Sequence, residues 1–298
     1  MDHVRLGISP INWINDDMDD LGDDYDLETV LSDMRDLGFA GTEMGRKYPR
    51  DPRLLKALLD KYRLALAGAW KTVQFSSGWR PEEDFSDFSQ HIEFLSRLGS
   101  RYAVTCDGGG SLHWDARGSR KTVEKYDEAA WQRLAAGLNR VGEHARKHGV
   151  EVAYHAHFGT AVETPEEIDR LMSSTDPVCV SLLADTGHIH AGGGDPAAVI
   201  DRHFERIHYI HLKDVRQSVL DAVRHTGASF TEAVRQGIFT TPGDGCIDFS
   251  AIFRVLRRRG YRGWMILEAE QDPAKADPVA YARRSKEFLG SLLQAGDP

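Results

Sequence analysis

"AYHAHFGTAVETPEE", residues 153–167, changes from one kind of local order to another within a few positions. Successive side chains of a strand turn to opposite faces, so His155 and His157 share one face while Ala156 looks the other way. Gly159 and Thr160 then release the chain. Thr164-Pro165-Glu166-Glu167 reads as a helix start, with Thr164 at the N-cap, Pro165 at the first helical position and Glu167 as the reciprocal end of a capping box. The stretch is therefore a strand, a loop and a helix, with two imidazoles ending the strand and Glu163 in the loop. Imidazole is a common metal ligand, but a buried strand with clustered polar residues fits the stretch equally well. Taken alone, it leaves both readings open.

The same strand-then-helix unit recurs from end to end. Strands are expected at Arg5–Ser9, Gly41–Met44, Leu64–Trp70, Arg101–Cys106, Val150–His155, Val178–Leu183, Ile207–Leu212 and Trp264–Glu268. Between them apolar residues recur at three-to-four spacing, as in Trp131, Leu134, Leu138, Val141 and Ala145, or Tyr281, Ser285, Phe288 and Leu292. Alternating strands and helices imply a parallel sheet covered by helices. Eight such units predict an α/β fold of the TIM-barrel type, a single (β/α)8 domain over residues 1–298. A doubly wound open sheet is the alternative, but "GISPINW" stands after the first strand where a dinucleotide-binding fold would carry G-x-G-x-x-G.

Bulk composition narrows the partners. The chain has 298 residues, of which 41% are hydrophobic and 28% charged, and no apolar run is long enough to span a bilayer. Met1 to Arg5 lead directly into an apolar stretch with no signal-peptide pattern, so a cytoplasmic protein is expected. A net charge of −9 argues against a phosphate-binding track for nucleic acid. Cys106, Cys179 and Cys246 lie far apart and read as core or near-core residues of a reducing compartment. Composition does not decide whether the chain forms a homo-oligomer.

One connection is too long to be plain. Between Asp214 and Asp248, after strand seven, an insertion of about residues 215–247 carries amphipathic pieces near Val219–Val223 and Phe230–Val234. Such insertions tend to be lids or subunit contacts.

In a barrel of this kind the active site forms where strands end. Strand five delivers His155, His157 and then Glu163; strand six Asp185 and His188; strand seven His211, Lys213, Asp214 and Arg216; strand eight Glu268 and Glu270. Mixed oxygen and nitrogen donors without thiolates suit manganese, cobalt or zinc. Each has a plainer alternative: Asp185 as a cap on the following turn, Lys213 as a solvated cation. Glu268 follows Met265, Ile266 and Leu267, and a carboxylate buried there without a partner is costly.

"YHAHFGT…ET", "DTGH", "HLKD" and "GW…LE" together resemble the xylose-isomerase-like barrel superfamily. Within it, "GISPINWINDDMDDLG" (7–22), "HLKDVR" (211–216), "IFTTPGDGCIDF" (238–249) and "LEAEQDP" (267–273) resemble the inosose dehydratase family across essentially the whole chain. The resemblance implies dehydration of 2-keto-myo-inositol to a trihydroxycyclohexanedione in myo-inositol catabolism, with cobalt or manganese and sometimes glutathione. No glutathione site is visible in the sequence, which leaves that cofactor open. Carried over by position, the metal ligands fall on Asp185, His211, Glu268 and one strand-five residue, Glu163 in preference to His155. Dehydration of a β-hydroxy ketone further needs a base, an acid and a stabilised oxyanion, for which His157, His188, Glu270 and Lys213 are expected. Asn12, Asn15, Asp16, Asp17, Glu43, His155 and Arg216 are expected to read the polyol hydroxyls, although Asp16-Asp17 could equally be a solvated loop. A ketose isomerase or epimerase using the same metal is the alternative activity.

Overall fold

The computed structural model describes residue 1, residues 3–109 and residues 123–294. Eight parallel strands close into a barrel: β1 (Val4–Ile8), β2 (Gly41–Glu43), β3 (Ala65–Trp70), β4 (Tyr102–Thr105), β5 (Glu151–His155), β6 (Val180–Asp185), β7 (Ile207–Leu212) and β8 (Gly263–Leu267). Each strand pairs with its sequence neighbours, and β8 returns to β1, as in a (β/α)8 barrel. Helices between them close the outer layer. The helix Pro165–Ser174 begins with the expected capping box, Thr164 and Glu167 each serving the other's backbone. Glu128–Lys147 buries the expected face of Trp131, Leu134, Leu138, Val141 and Ala145.

Two expectations shift. Strand six starts two residues later than expected because Asp176 holds Val178 and Cys179 in a turn, where Val178 is exposed. It then runs two residues further and carries Asp185 inside the sheet. The last helix, Pro278–Gln294, buries Ala282, Ser285 and Leu289 most deeply. Tyr281, Phe288 and Leu292, the expected face, flank that line half-buried. Among the cysteines, Cys106 and Cys179 are buried but Cys246 is exposed. Among the described residues no helix is long and apolar enough to cross a membrane.

The barrel interior sets up the site. Ala153, Leu183, Tyr209 and Ile266 belong to one apolar cluster filling it. Strand side chains repeat every two residues, so the next inward positions are His155, Asp185, His211 and Glu268. An apolar floor thus continues directly into a polar rim. Trp264 fills the bottom of the floor because Gly41 has no side chain: a Cβ there would lie 2.6 Å from the indole.

The insertion is a small structure of its own at the rim. Asp214–Val215 and Phe239–Thr240 pair antiparallel, and the helices Gln217–Thr226 and Phe230–Arg235 lie between them. Leu220, Val223, Phe230, Val234 and Phe239 share a core with Met18 and Leu21 of the first loop and with Phe158 beyond β5. Asp214 fastens its return: the carboxylate accepts from Val215 N, Gly243 N, Gly245 N and Ile247 N at 2.8–3.1 Å.

Asp214→Ala leaves those backbone donors without their buried acceptor. Charged hydrogen bonds of this kind contribute about 1.5–3 kcal/mol each, not additively. Denaturant unfolding of the variant should therefore show a loss of roughly 3 kcal/mol. A loss below about 0.5 kcal/mol, the range of ordinary surface changes, would show that the return is held elsewhere.

Candidate active site

A cavity of about 600 Å³ opens where the strands end, bordered by Asp16, Asp17, Glu43, Trp70, His155, His157, His211, Glu268 and Glu270. Its floor is a knot of buried ionisable groups. His155 Nε2 lies 3.3 Å from Asp185 Oδ2, and His211 Nδ1 lies 3.4 Å from Asp185 Oδ2 and 3.0 Å from Glu268 Oε2. Register explains the closeness, since Asp185 and His211 are direct partners across β6 and β7. Asp185 also caps the helix Thr186–Ala191, Oδ1 accepting from His188 N at 2.9 Å. The cap orients the carboxylate and turns Oδ2 inward, so the two readings of this residue are one arrangement.

Three of these atoms, His155 Nε2, Asp185 Oδ2 and His211 Nδ1, are buried with no hydrogen-bond partner despite their proximity. Buried polar atoms are nearly always satisfied. Orphans that converge this closely fit a cation coordinated by all of them, and their mixed nitrogen and oxygen character suits a divalent ion. Burial pushes His155 down to about 4, so its imidazole is neutral and has a lone pair to offer. Glu43 Oε1 lies 3.0 Å from His211 Nε2 and accepts from Tyr209 Oη at 2.9 Å. A carboxylate on the far nitrogen fixes the ring's orientation and directs Nδ1 into the site. Glu43, expected to read substrate, is thus committed largely to His211.

Behind these groups lies Lys213, with no exposed surface. Its ammonium is 2.7 Å from Glu270 Oε2, 2.8 Å from Glu268 Oε1 and 3.3 Å from Asp185 Oδ2. Burial alone would lower its pKa, but the three carboxylates outweigh burial and raise it. Burial alone would raise the three carboxylates; Lys213 and the neighbouring imidazoles hold all of them below their ordinary values. His157 borders the cavity, and its Nδ1 donates to Phe158 O at 2.9 Å. His188 packs against it, ring centres 3.7 Å apart, and His188 Nδ1 accepts from Phe158 N. Phe239 and Phe230 of the insertion cover this pair, Phe239 4.8 Å from His188 and Phe230 5.1 Å from His157.

Several expected residues sit elsewhere. Glu163 accepts from Gly159 N at 2.8 Å and faces Lys125, because its own N–H is tied to Glu167 of the capping box. It lies outside the clusters of ligand atoms that include His155, Asp185, His211 and Glu268. Lys213 and His188 are enclosed and do not border the cavity. Asn12 donates to Ser9 O and Leu267 O, and Asn15 Oδ1 accepts from Asp17 N and Met18 N; both shape the first loop. Arg216 binds Gly237 O, Phe239 O, Thr240 and Asp244 and so braces the insertion. Trp70 was not foreseen at the site. It ends β3 with its ring 5.5 Å from His155, and its position as the last residue of an expected strand was the available signal.

The family model described as xylose isomerase-like TIM barrel matches residues 22–292. An inosose dehydratase of Geobacillus kaustophilus (strain HTA426) is 47% identical over 291 residues, 97% of this chain and 94% of the relative. One of Lacticaseibacillus casei is 43% identical over 292 residues, 97% of each chain. A crystal structure of IOLI protein with a bound zinc atom has a TM-score of 0.70 at 16% identity, covering 97% of this chain and 98% of that one. That last likeness is one of fold.

Elemental analysis can separate the two strand-five residues. His155→Ala should lose the metal, whereas Glu163→Ala should keep it. Glu43→Gln should weaken metal affinity by about 10- to 100-fold, as expected for a partner that orients a ligand. Metal retained by the His155 variant and lost by the Glu163 variant would reverse the placement.

Proposed function

This chain belongs to the inosose dehydratase family of xylose isomerase-like TIM barrels and is a hydro-lyase, and we propose that it removes water from 2-keto-myo-inositol in the cytoplasmic breakdown of myo-inositol. The observation that carries this is the set of unsatisfied buried ligand atoms at the floor of the cavity beside His157. We place a divalent ion on His155, Asp185, His211 and Glu268. Manganese or cobalt suits these donors best, with zinc a third choice, since no thiolate is present. When bound, such an ion supplies Lewis-acid polarisation of a ketone oxygen, typically several kcal/mol of charge stabilisation.

The chain's own groups then handle the proton. Because Nδ1 of His157 donates to Phe158 O, Nε2 is the basic nitrogen of the ring. In this reading Nε2 removes the proton α to the carbonyl. The C–H electron pair forms the new double bond, and the β C–O bond breaks. The same imidazole then returns its proton to the departing hydroxyl, which leaves as water. One imidazole closes the proton inventory. Glu270, kept ionised beside Lys213, offers an acceptor to a ring hydroxyl, and Asp16 and Asp17 offer others at the mouth. The phenyl rings over His157 and His188 shield the proton transfer from water. Lys213, expected to stabilise the oxyanion, is instead a positioning residue for three carboxylates.

His157→Ala should retain its metal and lose turnover by about 10²–10⁴-fold, the usual contribution of a placed acid-base group. Near-normal turnover would remove His157 from the reaction. Incubated with 2-keto-myo-inositol, the native enzyme should generate the absorbance of a conjugated dione. Epimerisation of ketoses without that signal would instead favour the isomerase reading.

A further inference from the structure

Among the clusters of ligand atoms at the end of the barrel, two flank a lysine. His155, Asp185 and His211 form one; His157, His188 and Glu270 form the other, and within each cluster the three ligand atoms lie within 4.8 Å of one another. The second brings together two imidazoles and a carboxylate, residue types that also hold divalent metals. What lies between them is the Lys213 ammonium. It is 2.9 Å from His188 Nε2 and 2.7 Å from Glu270 in the second cluster, and 3.3 Å from Asp185 in the first.

We propose that Lys213 is a tethered cation standing in for a second divalent ion, so that the centre takes one metal per chain and becomes a two-metal centre when the ammonium is removed. This rests on the single-metal reading above. Charge supports it: Asp185, Glu268 and Glu270 all lie within 3.3 Å of the Lys213 ammonium, so the ammonium supplies positive charge at the point where these carboxylates would otherwise hold a cation. A second divalent ion beside the ammonium would be repelled by it and would find Glu270 already engaged. Without the ammonium, −3 and an imidazole pair face the space it filled, and buried charge of that kind recruits a cation or a proton.

The fold holds the ammonium in place. Lys213 N donates to Thr186 Oγ1 at 3.0 Å, and Thr186 Oγ1 donates to Lys213 O at 2.6 Å, so the backbone is pinned from the neighbouring strand end. The aliphatic stem runs against Gly187, where a Cβ would come within 2.6 Å of Lys213 Cγ. The Phe239 ring closes over the ammonium at 4.9 Å. The glycine of "DTGH" and the lysine of "HLKD" are thus a steric pair.

The test is metal stoichiometry, with manganese as the probe. After equilibration with excess Mn²⁺ and gel filtration, elemental analysis of the native enzyme should give one ion per chain and an uncoupled EPR spectrum. Lys213→Ala should give two ions and a spin-coupled pair, and adding Glu270→Ala should return the count to one. If Lys213→Ala does not fold, as judged by circular dichroism, Lys213→Gln preserves the stem against Gly187 and should also take two. One ion in a folded Lys213 variant, or two in the native enzyme, overturns the proposal. A native enzyme that takes none overturns the metal reading beneath it, a different result.

Discussion

Three carboxylates buried around a single ammonium are the constraint on which the rest of this molecule depends. Asp185, Glu268 and Glu270 are held away from water only because Lys213 and the neighbouring imidazoles compensate them, since an unbalanced buried charge is costly even where the pairing is close. The orphaned atoms of His155, Asp185 and His211 mark where compensation is missing. A cation at that point removes that deficit.

The barrel supplies the rigidity this arrangement needs. Each inward residue of the apolar floor fixes the position of the polar residue two places later, so the proposed ligands His155, Asp185 and His211 sit on strands and Glu268 directly follows one. Outside them a further layer sets orientation: Glu43 for His211, the helix cap for Asp185, Thr186 and Gly187 for Lys213. The insertion completes the enclosure, and Asp214 and Arg216, which looked like site residues by position, are spent on fastening it.

Much of this was legible in the chain. Period-two alternation and the capping box of Thr164 and Glu167 disclosed strand ends, and strand ends disclosed Asp185, His211 and Glu268. The choice between Glu163 and His155 was not legible, because it turns on where a loop carboxylate points. That direction is set by Lys125 and Gly159 through contacts no periodicity records. Lys213 was visible as sharing a face with His211, but its enclosure depends on Phe239, distant in sequence. Trp70 and Phe230 were hidden for the same reason: a residue reads as core or surface locally, and as a wall only once the barrel closes.

We propose that one divalent ion balances this buried cluster through His155, Asp185, His211 and Glu268. Anomalous diffraction from a crystal of the manganese-loaded enzyme tests it most directly. A single strong peak is expected within bonding distance of those four side chains, with Glu43 behind His211 and Glu163 away from the ion. A peak held by Glu163, or no peak within the barrel mouth at full manganese loading, would contradict it.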